Sequence, residues 1–243
     1  MENKLNNLNA VVTGASRGLG VALLEALTQH GSRVVAVARH LEPLQPLLDR
    51  IRASGGIAHA VIADIADKDA TYRIAGEAQA LLGPVDLLIH NASTLGPTPL
   101  PLLLDTDCES LLQVLETNLV GAFRLTKALA GPMVLRGRGT VLHVSSDAAV
   151  EPYPRWGAYG ISKAAQDHLS RILAAELEGT GVRVLSVDPG EMDTRMHRDA
   201  LPDADPATLL APRTVARRIV RLLEDEKVKS GTRVSASQWE VQP

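Results

Sequence analysis

Two groups of residues in this sequence have the types and the spacing to do chemistry. Tyr159 and Lys163 stand at i and i+4 in "YGISK", which puts both side chains on one face of a helix. A free phenol titrates near ~10 and is a poor acid–base group at neutral pH. A neighbouring ammonium stabilises the phenolate and lowers that value, so the tyrosine can exchange a proton with a substrate oxygen. The run "GTVLHVSS" before them ends in two serines, Ser145 and Ser146. The second group lies near the N-terminus. "TGASRGLG" sets Gly14, Gly18 and Gly20 around Ser16, Arg17 and Leu19. An apolar run precedes it and a helix-like run follows. Strand, glycine turn and helix are what a dinucleotide pyrophosphate needs: close backbone approach, free N–H groups and positive potential. The spacing is G-x-x-x-G-x-G, and no Gly-Lys-Ser/Thr follows, which argues against a nucleoside-triphosphate P-loop.

Those residues need a frame. Seven short runs rich in Val, Ile, Leu and Ala read as strands, over residues 10–14, 33–38, 57–64, 85–91, 139–146, 182–190 and 231–237. Stretches with helical spacing lie between them, over 18–30, 44–53, 68–82, 107–135, 158–178 and 212–226. Regular alternation of this kind predicts right-handed crossovers and a parallel sheet covered on both faces. The near-continuous apolar strands agree with that burial. No linker, repeat or low-complexity segment divides the chain, so it reads as one α/β domain over 1–243. Two segments break the rhythm, 93–107 and 191–212. Both follow strands, at the carboxyl ends where open parallel sheets bind ligands, and both are candidate walls of a substrate pocket.

Composition sets outer limits. Apolar residues are 45% of the 243, but aromatics only 2%, so the core must be built from Leu, Val, Ile and Ala. A net charge of −3 leaves no electrostatic footprint for nucleic acid. No basic block suggests a membrane surface, and no apolar run reaches the length of a span. Cys108 is the one cysteine, which excludes an intrachain disulfide and suits a reducing compartment. The N-terminus is polar, without the apolar stretch of a signal peptide. These features predict a cytoplasmic protein. The histidines are scattered, and His90 and His143 read as satisfied or exposed residues rather than metal ligands.

Taken in order, the motifs resemble those of the short-chain dehydrogenase/reductase family. "TGASRGLG" is similar to its cofactor turn. "HNAS", from His90 to Ser93, is similar to its N-N-A-G motif, with His for the first Asn and Ser for the Gly. Asn118 sits in "ETNLVGAF", similar to the central-helix asparagine segment. Ser146 lies 13 positions before Tyr159, the family's spacing for its catalytic serine. "DPG" with Thr194 resembles the P-G-x-x-x-T stretch over the nicotinamide. The match runs from about Ala10 to Thr194. The resemblance implies a doubly wound, seven-stranded Rossmann fold and an NAD(P)(H)-dependent oxidoreductase. It implies hydride transfer between nicotinamide and a carbonyl or secondary alcohol, with Tyr159 as general acid/base. Ser146 would bind the substrate oxygen. Lys163 would bind the nicotinamide ribose and tune Tyr159, and Asn118 would hold a water that links Lys163 to solvent. Asp64 and Ile65, Asn91 and Ala92, and Pro189, Gly190 and Thr194 would line the cofactor. Family members are commonly homodimers or homotetramers.

The arginine in the turn bears on which cofactor. NAD sites place an acid at the end of the second strand, whereas NADP sites bring an arginine to the 2′-phosphate. Here "VAVARH" has Ala38 where the acid would stand, followed by Arg39, and Arg17 could reach the same phosphate. A planar, bidentate guanidinium suits that group, so the expected cofactor is NADP(H). The expected partner is a small carbonyl or alcohol substrate. Leucines of "PLPLLL" would favour an apolar carbonyl compound if they lined the pocket, and the sequence does not place them inside or outside; Tyr153, Trp156 and Met196 are further candidates to line it. Two other readings stand beside this one: a non-catalytic NADP(H)-sensing protein, and a pteridine-type reductase, whose loop "NASTLGPTPL" resembles.

Overall fold

The computed structural model describes residues 4–237 and Trp239. Residues 1–3, 238 and 240–243, which the reading of one domain over 1–243 includes, lie outside the described residues. Seven strands form one sheet: β1 (Asn9–Thr13), β2 (Arg33–Ala38), β3 (Ala58–Ile62), β4 (Leu87–His90), β5 (Gly139–Val144), β6 (Val182–Asp188) and β7 (Arg233–Ser235). Their order is β3-β2-β1-β4-β5-β6-β7, and every pairing is parallel. The chain is a single doubly wound Rossmann-like domain, as the alternation predicts. The strand order reverses between β1 and β4, which opens a crevice at the carboxyl ends of the strands.

Side chains alternate across each strand with period two. Ala10 and Val12 of β1, Leu87 and Ile89 of β4 and Leu185 and Val187 of β6 face one layer of core. Val11, Leu88 and Val184 face the other. Helices α1 (Gly18–Gln29), α2 (Gln45–Ala53) and α8 (Pro212–Glu224) cover the first face. Helices α3 (Ala70–Leu82), α5 (Gly121–Leu135) and α6 (Gly157–Glu176) cover the second. Both layers consist of Leu, Val, Ile, Ala and one Met, in keeping with the scarcity of aromatics.

The strands are shorter than their apolar runs. Asp64, Asn91, Ser145, Ser146 and Gly190 all lie beyond the last paired residue of their strand, because the tails turn out of the sheet toward the crevice. The stretch 107–135 is not one helix either. It divides into α4 (Cys108–Leu115), a π turn (Glu116–Val120) and α5. Apolar spacing over so short a stretch does not distinguish i+4 from i+5 pairing. The 191–212 segment carries a further helix, α7 (Arg195–Ala200), whose first turn Thr194 caps by accepting a hydrogen bond from the His197 N–H.

Helix α5 contains two glycines with opposite constraints. A Cβ on Gly121 would lie 2.3 Å from the Ile65 carbonyl oxygen, whereas nothing stands within 4 Å of one on Gly131. Helix propensity alone favours alanine at both, by about 1 kcal/mol. Gly131→Ala is therefore expected to raise the free energy of urea unfolding by up to ~1 kcal/mol. Gly121→Ala is expected to lower it by about 1–3 kcal/mol, the cost of forcing overpacked groups apart. Equal effects at the two positions would contradict this account of the α5 seat.

Candidate active site

The crevice holds a cavity of about 680 Å³, within the range of small-molecule and cofactor sites. Of the residues singled out in the sequence, Gly14, Ser16, Arg17, Gly18, Leu19, Arg39, Asp64, Ile65, Asn91, Ala92, Tyr159, Lys163, Pro189 and Thr194 line it. Gly20, Asn118, Ser146 and Gly190 are not among its lining residues. Gly20 and Asn118 are buried, and Ser146 and Gly190 are half-buried.

The glycine turn shows the division. Gly14 and Gly18 have φ of +63° and +54°, the left-handed region that glycine adopts without strain. A Cβ on Gly14 would sit 2.6 Å from the Ala92 Cα, and one on Gly20 would sit 2.3 Å from the Gly14 carbonyl oxygen. Close packing of the turn on itself and on the end of β4 thus demands glycine at these two positions before any ligand does. Asn91 completes the seat. Its side-chain N–H groups donate to the carbonyls of Thr13 and Gly14, at 3.0 and 2.9 Å. The Thr13 hydroxyl oxygen accepts from the N–H groups of Asn91 and Ala92.

Above this seat α1 begins with no side-chain cap and no acid in its first turn. Its first N–H groups therefore lack side-chain acceptors, and a phosphate is the kind of group they fit. Gly18 faces Thr194 across the cavity, with the Thr194 methyl 3.2 Å from where a Cβ would be. At the far end Arg17 and Arg39 are exposed, and neither guanidinium is paired with a carboxylate among the described residues. Asp64 is exposed as well, its Oδ1 accepting the Ala66 N–H at 2.9 Å.

At the other end the Tyr159 ring is buried against Leu95, Leu100 and Ala148, with Trp156 and Met196 beside it. Trp156 meets it edge-on, with centroids 5.7 Å apart. Burial pushes the Tyr159 phenol up to about 12, the carboxylates of Asp147 and Asp188 add to that, and hydroxyls of Ser146 and Ser93 oppose it. The sequence suggests a phenol drawn down by Lys163. In the structure burial wins, and the Lys163 Nζ lies 5.6 Å from the centroid of the tyrosine ring. Lys163 is itself brought down to about 8 by burial, which Asp167 partly offsets.

Ser146 and Asn118 are more committed than the sequence implies. The Ser146 hydroxyl donates to Asp147 Oδ1 at 2.9 Å and accepts the Ala148 N–H at 3.2 Å. The Asn118 side chain has both donors engaged: Nδ2 donates to the Thr94 carbonyl and the Ser162 hydroxyl, and Oδ1 accepts the Thr94 N–H. Tyr153 does not stand on the cavity wall; its hydroxyl donates to Asp147 Oδ2. The leucines of "PLPLLL", whose facing the sequence leaves open, do not line the cavity. Leu100 is buried, but Leu102, Leu103 and Leu104 point outward, Leu104 at 98% exposure.

Several contributors had no signal in the motifs. Arg233 of β7 donates to Asp167 of α6 at 2.9 Å, to the Ser146 carbonyl at 2.7 Å and to Asp188 at 3.2 Å. Asp188 Oδ1 in turn accepts the Gly190 N–H. One guanidinium thus ties the serine loop, the Pro189–Gly190 turn and α6 together, with Ser145 also donating to Asp167. Ser93 is a second case. It lines the cavity, and its buried Oγ has no partner of full hydrogen-bond geometry, although it lies near enough to Tyr159 to favour the phenolate. Its place in "HNAS" is visible in the sequence, but its orientation is not.

With this geometry established, comparison with known proteins is informative. The sequence model for short chain dehydrogenases matches residues 8–205. A short chain dehydrogenase of Pseudocercospora fijiensis is 38% identical over 199 residues, 80% of this chain and 63% of that protein. The chain thus spans under two thirds of that relative. Among solved structures, a short chain dehydrogenase from Pseudomonas syringae is 31% identical with a TM-score of 0.90, and the match covers 97% of both chains. One from Shigella flexneri, complexed with NADP, is 26% identical with a TM-score of 0.90, covering 98% of this chain and 100% of that one.

His90 and His143 are neither exposed nor fully satisfied. They pair across β4 and β5 with rings stacked 4.8 Å apart. The ring Nε2 of His90 meets the Thr126 hydroxyl at 2.8 Å, and Nδ1 of His143 meets the Ser170 hydroxyl at 2.9 Å. The other nitrogen of each is buried without a partner. Burial, with Lys163 nearby, brings His143 down to about 3 and His90 well below its ordinary 6.5. Both are neutral in the fold and charge on unfolding, so the unfolded chain binds more protons as pH falls below about 6.5. Stability is lost in that direction, and for His143 the loss continues toward about 3. Each histidine contributes a slope of about 1.4 kcal/mol per pH unit inside its window. His143→Asn should flatten the dependence of urea unfolding on pH between about 6 and 4 by roughly one proton. An unchanged slope would show that His143 titrates normally in the fold.

Proposed function

The chain belongs to the short-chain dehydrogenase/reductase family, and from that premise we propose that it is an NADP(H)-dependent oxidoreductase of small carbonyl compounds or secondary alcohols. One observation carries the reading of its chemistry. A buried tyrosine stands on the cavity wall four residues before a buried lysine, with a serine hydroxyl against its oxygen.

When bound, the cofactor supplies the hydride from C4 of its nicotinamide, and the protein supplies position and protons. The glycine turn and the uncapped start of α1 would hold the pyrophosphate. Asp64, Ile65, Asn91 and Ala92 would lie along the adenosine, with Pro189, Gly190 and Thr194 over the nicotinamide. Tyr159 and Lys163 would meet the nicotinamide ribose. A phenol held near 12 is protonated at neutral pH and stands ready to donate. The alkoxide oxygen that forms as a carbonyl is reduced is a far stronger base than a phenolate, so proton transfer from Tyr159 runs downhill. The Ser146 and Ser93 hydroxyls and the Lys163 ammonium then stabilise the phenolate left behind. Preference for NADP(H) is supported by the two unpaired guanidiniums, by Ala38 at the end of β2, and by the NADP complex of the Shigella relative.

Tyr159→Phe should lower kcat roughly 10²–10⁴-fold on any carbonyl substrate the enzyme accepts, with NADPH binding, read by nucleotide fluorescence, retained. A mutant as active as the wild type would overturn the assignment. Nucleotide binding without turnover in the wild type, over a broad carbonyl panel, would favour the sensing protein instead. Replacing Arg17 or Arg39 by Ala should raise the KM for NADPH roughly tenfold or more while leaving that for NADH nearly unchanged, because only the phosphate loses a charged hydrogen bond. A wild-type preference for NADH would remove the basis of the arginine argument.

A further inference from the structure

Among the buried polar side chains of α6 beyond the Tyr159–Lys163 motif, one reaches Lys163 itself. Gln166 is fully buried, one turn beyond Lys163. Its Nε2 donates to the Asn118 carbonyl at 2.8 Å, and its Oε1 accepts from the Lys163 Nζ at 3.3 Å. A second Lys163 N–H goes to the Val144 carbonyl at 2.7 Å. Only one arrangement of the Gln166 amide serves both partners. Reversed, it would set NH₂ against an ammonium and oxygen against a carbonyl oxygen. The Asn118 carbonyl that receives it belongs to the π turn, where helical pairing shifts from i+4 to i+5. Both side-chain N–H groups of Asn118 are taken, by the Thr94 carbonyl and the Ser162 hydroxyl, its Oδ1 accepts the Thr94 N–H, and its main-chain carbonyl is met by the Gln166 amide.

We propose that Gln166 is a positioning residue for the reaction, a neutral bridge from the π turn to Lys163 in the place where a water held by Asn118 was expected. The inference rests on the oxidoreductase reading of Tyr159 and Lys163. Two of the three ammonium N–H groups are held from the protein side, which leaves the third for the cavity. Because the bridge is an amide, it fixes the ammonium without adding charge of its own. The charged and titratable groups around Lys163 are Asp167 and Tyr159 on its own helix, His143 on β5 and His90 on β4. Both histidines are neutral at pH 7, so Asp167 is the one carboxylate that raises Lys163.

The test begins without substrate. In protein carrying isotope-labelled lysine, the Lys163 resonance, assigned through Lys163→Arg, is followed against pH. The wild type should titrate near 8. Gln166→Met, which keeps the length and removes both hydrogen bonds, should lower that midpoint by roughly half to one pH unit. Gln166→Glu, which keeps the acceptor and adds a carboxylate, should raise it. With a carbonyl substrate, Gln166→Met should lower kcat roughly tenfold, with little change in its KM and with a displaced pH profile. A Lys163 titration unmoved by both variants would overturn the proposal, as would a shifted titration with kcat and pH profile both unchanged. If Gln166→Met does not fold, the glutamate variant decides by the same titration. If the wild type reduces no carbonyl compound, the oxidoreductase reading fails by itself and the titration still judges the bridge.

Discussion

Burying the Lys163 ammonium is the constraint on which this site depends. The side chain is 1% exposed, and an ammonium removed from water costs several kcal/mol unless its N–H groups are met. The structure meets them with a β5 carbonyl and the Gln166 amide, and it places Asp167 one residue further along the helix. The rest of the α6 inner face follows from that choice. Ser162, Gln166, Asp167 and Ser170 are all buried, a polar stripe where a helix packed on a sheet would ordinarily be apolar. Each member has a partner on a different element: the π turn for Ser162 and Gln166, β7 for Asp167, and β5 for Ser170. Satisfied in this way, the stripe fixes the position of α6 more narrowly than apolar packing would. The orientation of Tyr159 follows from it.

The same logic explains why the short last strand matters to a cavity it does not line. Among the described residues, Arg233 is the one cation paired with both Asp167 and Asp188. Without it, two nearly buried carboxylates, one midway along α6 and one at the carboxyl end of β6, would stand without a cation, a far costlier state than the pair itself. Its third contact, to the Ser146 carbonyl, links the stability of this corner to the position of the serine loop. The carboxyl ends of β5 and β6 are thereby locked to the start of β7, while the glycine turn and Asn91 lock the ends of β1 and β4. The cavity lies between two rigid corners.

Local chemistry made the first corner legible in the sequence. Gly14, Gly18 and Gly20, the strand before them and the helix after them all lie in the unbroken stretch from Asn9 to Gln29. Tyr159 and Lys163 share one helix. The sheet and its order follow from a repeated pattern that period and composition make visible. What stayed hidden depends on contacts between residues far apart in the chain. Gln166 and Asn118 are 48 positions apart, and Arg233 and Ser146 are 87 apart. The π turn was hidden for another reason, since the apolar spacing of 107–135 fits a continuous helix. The outward turn of Leu102 to Leu104 could not be foreseen either, because a proline-rich loop has no period from which to read a face.

The sharpest departure from sequence reasoning concerns the charge on Tyr159. An i+4 lysine should draw a phenol down, and in water that inference is sound. Here both groups are buried, and burial acts on them in opposite senses: it raises the phenol and lowers the ammonium. The lysine is thereby the weaker partner, since its own charge is less stable, and it lies beside the tyrosine ring rather than at its oxygen. The carboxylates of Asp147 and Asp188 push the phenol further up. The isolated protein thus stores Tyr159 in its protonated form, with two serine hydroxyls placed to stabilise the phenolate. Such a site donates a proton more readily than it removes one.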